Sequence, residues 1–347
     1  MDVIGIAITL AKIVVVFSAL MGAVSVMTWV ERRLSAIIQY RLGPNRVGPW
    51  GLLQPIADGI KFLQKEDIVP LAAHKPFYIA APALAVATAL TAFAVVPFGS
   101  EIEIFGRTVK LVILDLDGGI LWGFAATALG VYALVLAGWA SRNKFSLIGG
   151  LRSSAQMVSY ELPLALSIVS VVLVAGSLRP TVIVAQQSGW MLNWNIFKGV
   201  PLLGFVLFTI AGYAETNRVP FDLPEAEGEL VAGYHTEYSG MRFAAFFMAE
   251  YINMMTSSAL GITLWLGGWQ LGFPVPFTGL PLVALQVAAF VAKLAFFQFL
   301  YVWVRWTIPR FRYDQLMDLG WKALLPISLA NLALTGVLVA LDFNVLR

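Results

Sequence analysis

The sequence predicts an all-α membrane protein of about eight transmembrane helices, and three observations carry that reading. Hydrophobic residues make up 59% of the 347 and charged residues only 12%, about half the charge density of a soluble domain. Apolar stretches of about 20 residues, the length that crosses the hydrocarbon as a helix, recur along the chain. Basic residues gather in alternate connections, as the positive-inside rule requires.

The spans fall at 3–30, 77–97, 118–140, 157–177, 199–215, 243–266, 281–304 and 323–341. The first is too long for a signal-peptide core and has no basic segment before it, so it is read as a retained span. Lys12 within it reads as a side chain that snorkels to the surface. The third span, 118–140, carries no charge. The fourth holds Glu161, just before Pro163, in SYELPLALS. The fifth is the shortest and closes on Glu215, the sixth holds Glu250, and the seventh holds Lys293 midway along.

The connections after spans 1, 3, 5 and 7 carry sixteen Lys and Arg residues and the opposite side carries five. That bias places the richer side in the cytoplasm and both termini on the other face. Neither tandem repeats nor an inverted pair of broken helices is evident. The chain therefore reads as one polytopic membrane domain, 1–347, with two long cytoplasmic connections at 31–76 and 216–242.

In the first connection Leu53, Ile56, Ile60 and Leu63 lie at helical spacing, while Gln54, Asp58, Lys61 and Lys65 mark other faces. An amphipathic helix lying at the membrane interface satisfies this pattern, and a helix docked on a soluble partner is the alternative. The Gly43-Pro44 and Gly48-Pro49 turns before it shape the loop, and Arg46 between them could meet a lipid headgroup or a bound ligand.

The absence of cysteine excludes disulfides, a thiolate nucleophile and cysteine-ligated iron–sulfur clusters. The two histidines, His74 and His235, both fall outside the spans, so a haem held between helices is not expected. Any redox centre belongs to partner chains. His235 reads as a proton relay or as a loop residue bonded to a neighbour.

Carboxylates sit where a bilayer disfavours them. Glu161 and Glu250 lie inside spans, and residues 215–250 hold seven of the twenty acids: Glu215, Asp222, Glu225, Glu227, Glu229, Glu237 and Glu250. An ionised carboxylate at membrane depth faces a protein interior or a water-filled cavity. A set sharing such a cavity has its proton affinities raised by desolvation and mutual repulsion, and titrates as a unit. That is the makeup of a proton path. A solvated acidic face remains open for the loop acids, Glu225 and Glu229 being one turn apart. A structural hydrogen bond or ion pair remains open for Glu161 and Glu250, with Lys293 as the candidate partner at membrane depth.

Two segments carry a family resemblance: ERRLSAIIQYRLGPNRVGPWGLLQPIADGIKFLQKED at 31–67 and PFDLPEAEGELVAGYHTEYSGM at 220–241. Both resemble signature segments of the membrane subunit that joins the two arms of respiratory complex I, a bacterial family homologous to mitochondrial NADH dehydrogenase subunit 1. Length and span number extend the resemblance over the whole chain.

The resemblance implies a subunit of a proton-translocating NADH:quinone oxidoreductase in a bacterial inner membrane, or alternatively a mitochondrial one. It implies a channel for a quinone, ubiquinone above all, lined here by Glu31, Arg32, Arg41, Arg46 and Asp58, with the amphipathic stretch beside its mouth. It also implies a proton path through Glu161, Glu215, Glu225, Glu227, Glu229, Glu237 and Glu250, to which Lys293 is added by its depth. Some relatives of that family have a further acid in the third span, which 118–140 lacks. Iron–sulfur clusters and FMN are implied in partners: the quinone-site and terminal iron–sulfur subunits of the hydrophilic arm, with small and antiporter-like membrane subunits alongside. A homologous subunit of a membrane-bound hydrogenase or ferredoxin-linked complex keeps the fold and changes the electron donor. A stand-alone secondary transporter and a passive anchor are the remaining readings.

Overall fold

The computed structural model describes residues 3–104, 106–223 and 227–341. Each predicted span is a helix: α1 (Val3–Ile38), α3 (Lys75–Phe93), α4 (Gly119–Ala140), α5 (Lys144–Ala175), α7 (Val200–Glu215), α9 (Gly240–Trp265), α10 (Leu280–Thr307) and a last run from Tyr313 to Ala340. Between them lie α2 (Gln54–Gln64), the strands β1 (Glu101–Ile104) and β2 (Arg107–Lys110), α6 (Pro180–Gln186) and α8 (Glu227–Leu230). The last run divides into α11 (Tyr313–Asp318), a π turn (Leu319–Leu324) and α12 (Leu325–Ala340).

Six of these helices or runs are long and apolar enough to cross a membrane: α1, α3, α4, α5, α10 and Tyr313–Ala340. The seventh, α7, is apolar but has only 16 residues, about 24 Å against a hydrocarbon of roughly 30 Å. The eighth, α9, has 26 residues and is the less apolar for carrying Glu250, Asn253, Thr256, Ser257 and Ser258. Most of its length is buried, which explains the composition: a helix enclosed by other helices need not be compatible with lipid. It packs on α3, α7 and α10, while α1 turns Leu10, Val14, Val15 and Val26 outward.

Two single helices outrun their predicted spans by more than two turns. The 36 residues of α1 reach about 54 Å, so Glu31 and Arg32 stand on helix and not in a loop. At the other, α5 starts at Lys144 instead of 157, because the Asn143 side chain accepts from the Phe145 N–H at 2.9 Å and caps it. It ends on Gly176 in the left-handed conformation, φ 63°. The polar opening turns of α5 lie close to the connection after α7. A Cβ on Gly149 would stand 2.6 Å from the Gly233 backbone, so only glycine allows this approach.

The all-α expectation misses one feature, the antiparallel hairpin of β1 and β2, in which Glu101 pairs Lys110 and Ile104 pairs Arg107. The π turn before α12 has a local cause. Pro326 has no N–H to give to an α-helical bond, and the wider turn ahead of it absorbs the mismatch.

The predicted amphipathic stretch is helix α2, with no residue buried and with Ile56, Ile60 and Leu63 exposed. It is tied to α1 by the Arg32–Asp58 ion pair at 2.5 Å, and Lys61 and Gln54 approach the same carboxylate at 3.6 and 3.3 Å. In the turn leading to it, a Cβ on Gly51 would lie 2.4 Å from the Pro44 carbonyl oxygen.

Candidate functional site

Four elements bring charge together where α1 leaves the apolar layer. The extension of α1 supplies Glu31, the segment after α7 supplies Arg218, α9 supplies Glu250 and Tyr251, and the last turn of α10 supplies Arg305. Glu31 is only 7% exposed. One of its oxygens is met by the guanidinium of Arg305 and by Arg218 Nη1 at 3.3 Å. The other accepts the Tyr251 hydroxyl at 2.5 Å. Arg218 also holds Glu250, Nε to Oε1 at 2.5 Å, and lies over the Tyr251 ring at 4.4 Å. One buried and one largely enclosed carboxylate thus join two guanidinium groups in one ionic cluster, with Arg218 touching both acids. Nearby, Asp222 takes Arg310 at 3.0 Å.

Small cavities lead from this cluster into the bundle. One of about 10 Å³ is lined by Glu31, Arg218, Tyr301 and Arg305. The next, of the same size, shares Tyr301 and adds Tyr213 and Ser257. A third of about 20 Å³ shares Ser257 and adds Thr127, Thr216, Asn253 and Glu215. A fourth of about 40 Å³ shares Glu215 and Asn253 and returns to Glu250. A cavity needs about 10–15 Å³ to seat a water, so the larger two can hold water and the smaller two sit at that threshold. The Tyr301 hydroxyl bonds Thr216 and Ser257 between them. Hydroxyls, amides and carboxylates spaced in this way can relay protons.

The remaining predicted residues divide. Glu161, on α5, is half-buried and close enough to Glu215 for their charges to interact. Glu237 accepts from the Asn143 amide at 2.6 Å, and its carbonyl accepts the Tyr78 hydroxyl at 2.8 Å. Glu229 is exposed and pairs with Arg152 at 2.7 Å, which matches the solvated-face alternative. Glu225, and the side chain of Glu227, lie outside the described residues. Arg41 and Arg46 are exposed on the turn, with Arg41 donating to Gln39 at 2.6 Å.

Two lysines are corrected. Among the described residues the ammonium of Lys293 meets no glutamate: it donates to the carbonyls of Leu266, Gly268 and Gln270 at 2.7, 2.9 and 2.7 Å. Glu250, one of its two expected partners, is held by Arg218 instead. Lys12 does not simply snorkel to water, since its ammonium reaches the Val112 carbonyl at 3.0 Å, just past β2. The arginines took the role expected of Lys293. In the sequence Arg218 stood out only as one of two basic residues, with Arg242, among the acids of its connection, Arg305 only as a member of the cytoplasmic basic excess, and Tyr251 and Tyr301 gave no signal.

His235 is enclosed by Tyr234, Phe243 and Phe247. Burial pulls its pKa down from the ordinary 6.5 to about 4, so it is neutral at pH 7. Because the unfolded chain takes up the proton first, stability attributable to neutral His235 is fully present above pH 6.5 and falls as pH drops toward 4. Thermal unfolding followed against pH will show this loss, and His235→Phe will remove it. An identical acid-side loss in the variant would mean that another group is responsible.

Comparison with known proteins gives a consistent result. The family model described as NADH dehydrogenase matches residues 11–336. The chain is 51% identical over 346 residues to an NADH-quinone oxidoreductase H-type chain of Koribacter versatilis, covering 96% of this chain and 97% of that one. It is 50% identical over 330 residues to the H-type chain of the NADH-quinone oxidoreductase of Thermomicrobium roseum, covering 93% of each. It is 49% identical over 336 residues to NADH-quinone oxidoreductase subunit 8 of Rhodothermus marinus, covering 94% and 95%.

Proposed function

Because the chain belongs to the NADH dehydrogenase family, as a subunit of the multi-subunit NADH-quinone oxidoreductase, we propose that it forms the quinone channel and couples quinone reduction to proton translocation. The observation that carries this reading is the largely enclosed Glu31–Arg218–Glu250 cluster, met from its open side by Arg305 and continued by cavities to Glu215. A scaffold has no use for the cost of such groups at membrane depth.

In this reading all eight helices cross a bacterial inner membrane, with both termini outside the cytoplasm. The exposed apolar row of α2 lies in the membrane interface beside the mouth of the channel. A quinone enters there by its isoprenoid tail. Its head passes Arg32, Asp58, Arg41 and Arg46 to a chamber shared with the hydrophilic arm, whose subunits carry FMN and the iron–sulfur clusters. Reduction takes two electrons and two protons per quinone. The electrons come from those partners, and the carboxylates of this chain answer the accompanying change in charge by taking up or releasing protons. Antiporter-like subunits would receive the consequence through the membrane arm.

Glu250→Gln and Glu161→Gln test the reading in the whole complex reconstituted into vesicles. Each removes a proton-carrying group with little change of shape. Proton transport should fall about a hundredfold or more, the range of a lost acid–base group, while assembly persists. Full proton transport with full quinone reduction in both variants would refute the assignment.

A further inference from the structure

The residue that joins the two halves of the site is Arg218. Glu31 stands on α1, on the side of the first connection, and Glu250 stands on α9, against the cavity that Glu215 shares. No hydrogen bond between the two carboxylates is needed to link them, because one guanidinium serves both. Its Nε edge meets Glu250 at 2.5 Å, its Nη1 meets Glu31 at 3.3 Å, and its face lies on the Tyr251 ring, whose hydroxyl is itself bonded to Glu31. The partners of the two acids are unequal. Glu31 has Arg305 as a second cation, whereas Asp222 stands near enough to Glu250 to repel it.

We propose that Arg218 is a positioning residue that divides its charge between Glu31 and Glu250, so that a change of charge at Glu31 is passed to Glu250 by redistribution of one ion pair. When both acids are charged, Arg218 is shared. When a proton from the chamber side neutralises Glu31, Arg218 is released to Glu250, and Arg305 loses its carboxylate in the same step. Short contacts in a medium of low dielectric make such a redistribution strong, and the ring of Tyr251 keeps the guanidinium in the plane where both edges stay in reach. The groups facing this exchange are Glu31 from α1, Glu215 from α7, Asp222 from the connection, Glu250 and Tyr251 from α9, and Tyr301, Arg305 and Arg310 from α10 and the segment after it.

This inference rests on the proposed coupling function and is tested with the whole complex in proteoliposomes, by protons moved per quinol formed. Lysine keeps the charge but is a point donor that cannot hold two carboxylates on two edges while stacked on tyrosine, so Arg218→Lys should lower proton yield per quinol about twofold or more. Quinone reduction should fall less than the yield does. If Arg218 only holds the fold, assembled Arg218→Lys complexes will keep the wild-type yield, and the proposal is overturned. Glu31→Gln provides the second arm should the arginine variants not assemble. It fixes Arg218 on Glu250 and should likewise lower the yield, and an unchanged yield there also overturns the proposal. Glu250→Gln separates the two levels: if it loses proton transport while Arg218→Lys and Glu31→Gln keep full yield, the coupling function stands and the shared arginine does not.

Discussion

Glu31→Ala is expected to prevent stable incorporation of the chain into its complex. The carboxylate is 7% exposed, and its removal leaves the Arg218 and Arg305 guanidinium groups facing one space without the charge that holds them together. It also strands the Tyr251 hydroxyl, whose acceptor is Glu31. Breaking a buried pair by deleting one partner costs about 3–5 kcal/mol, and the partial exposure of Arg305 puts this case near 3 kcal/mol. At about 1.4 kcal/mol per factor of ten, the packed state then loses on the order of a hundredfold against locally opened ones. Glu31→Gln keeps the volume and an acceptor for Tyr251 and should assemble in reduced amount. Recovery of assembled complex and its thermal midpoint measure both. A Glu31→Ala complex recovered in wild-type amount with an unshifted midpoint would show that the cluster contributes nothing to stability.

The elements were legible in the sequence to the degree that they depend on composition. Every apolar run of span length became a helix, because a chain in hydrocarbon must satisfy its backbone internally. What lies beyond the apolar layer obeyed other rules. The eight residues of α1 past Val30 and the polar opening of α5 are mixed in character, and their helicity depends on packing and on a single cap at Asn143. The β1–β2 hairpin is two strands of four residues, too short for its alternation to stand out.

The site divides in the same way. Glu161, Glu215 and Glu250 could be singled out from their cost in a membrane, whereas Glu31 entered only through the family resemblance. Their partners could not, since Arg218 and Arg305 lie 187 and 274 residues from Glu31 along the chain. Depth along a span suggested Lys293 as the partner of a glutamate. Depth does not say which way a side chain faces, and Lys293 faces the end of α9.

Lys293→Met should therefore destabilise the bundle and reveal which role the lysine has. Helix α9 ends at Trp265, where the last carbonyls of any helix lack internal partners and carry the negative end of its dipole. The chain then turns through Gly267 and Gly268, both at positive φ, and aims the carbonyls of Leu266, Gly268 and Gln270 at one point. An ammonium has three donors, and each finds one of these acceptors at 2.7–2.9 Å, with the Trp194 ring 4.2 Å away on the cation. Taking an ammonium out of water opposes this arrangement, but three charge-assisted bonds at a helix C-terminus outweigh it. Methionine matches the length and supplies no donor, so three partly enclosed carbonyls go unanswered at a cost of about 3 kcal/mol. Arginine does not rescue it, because a planar fork cannot converge three bonds on a point. The expected result is a lower thermal midpoint in both variants, with the protons moved per quinol in surviving complexes as in wild type. A normal midpoint with a reduced proton yield would instead put Lys293 in the proton path, and the capping role would be lost.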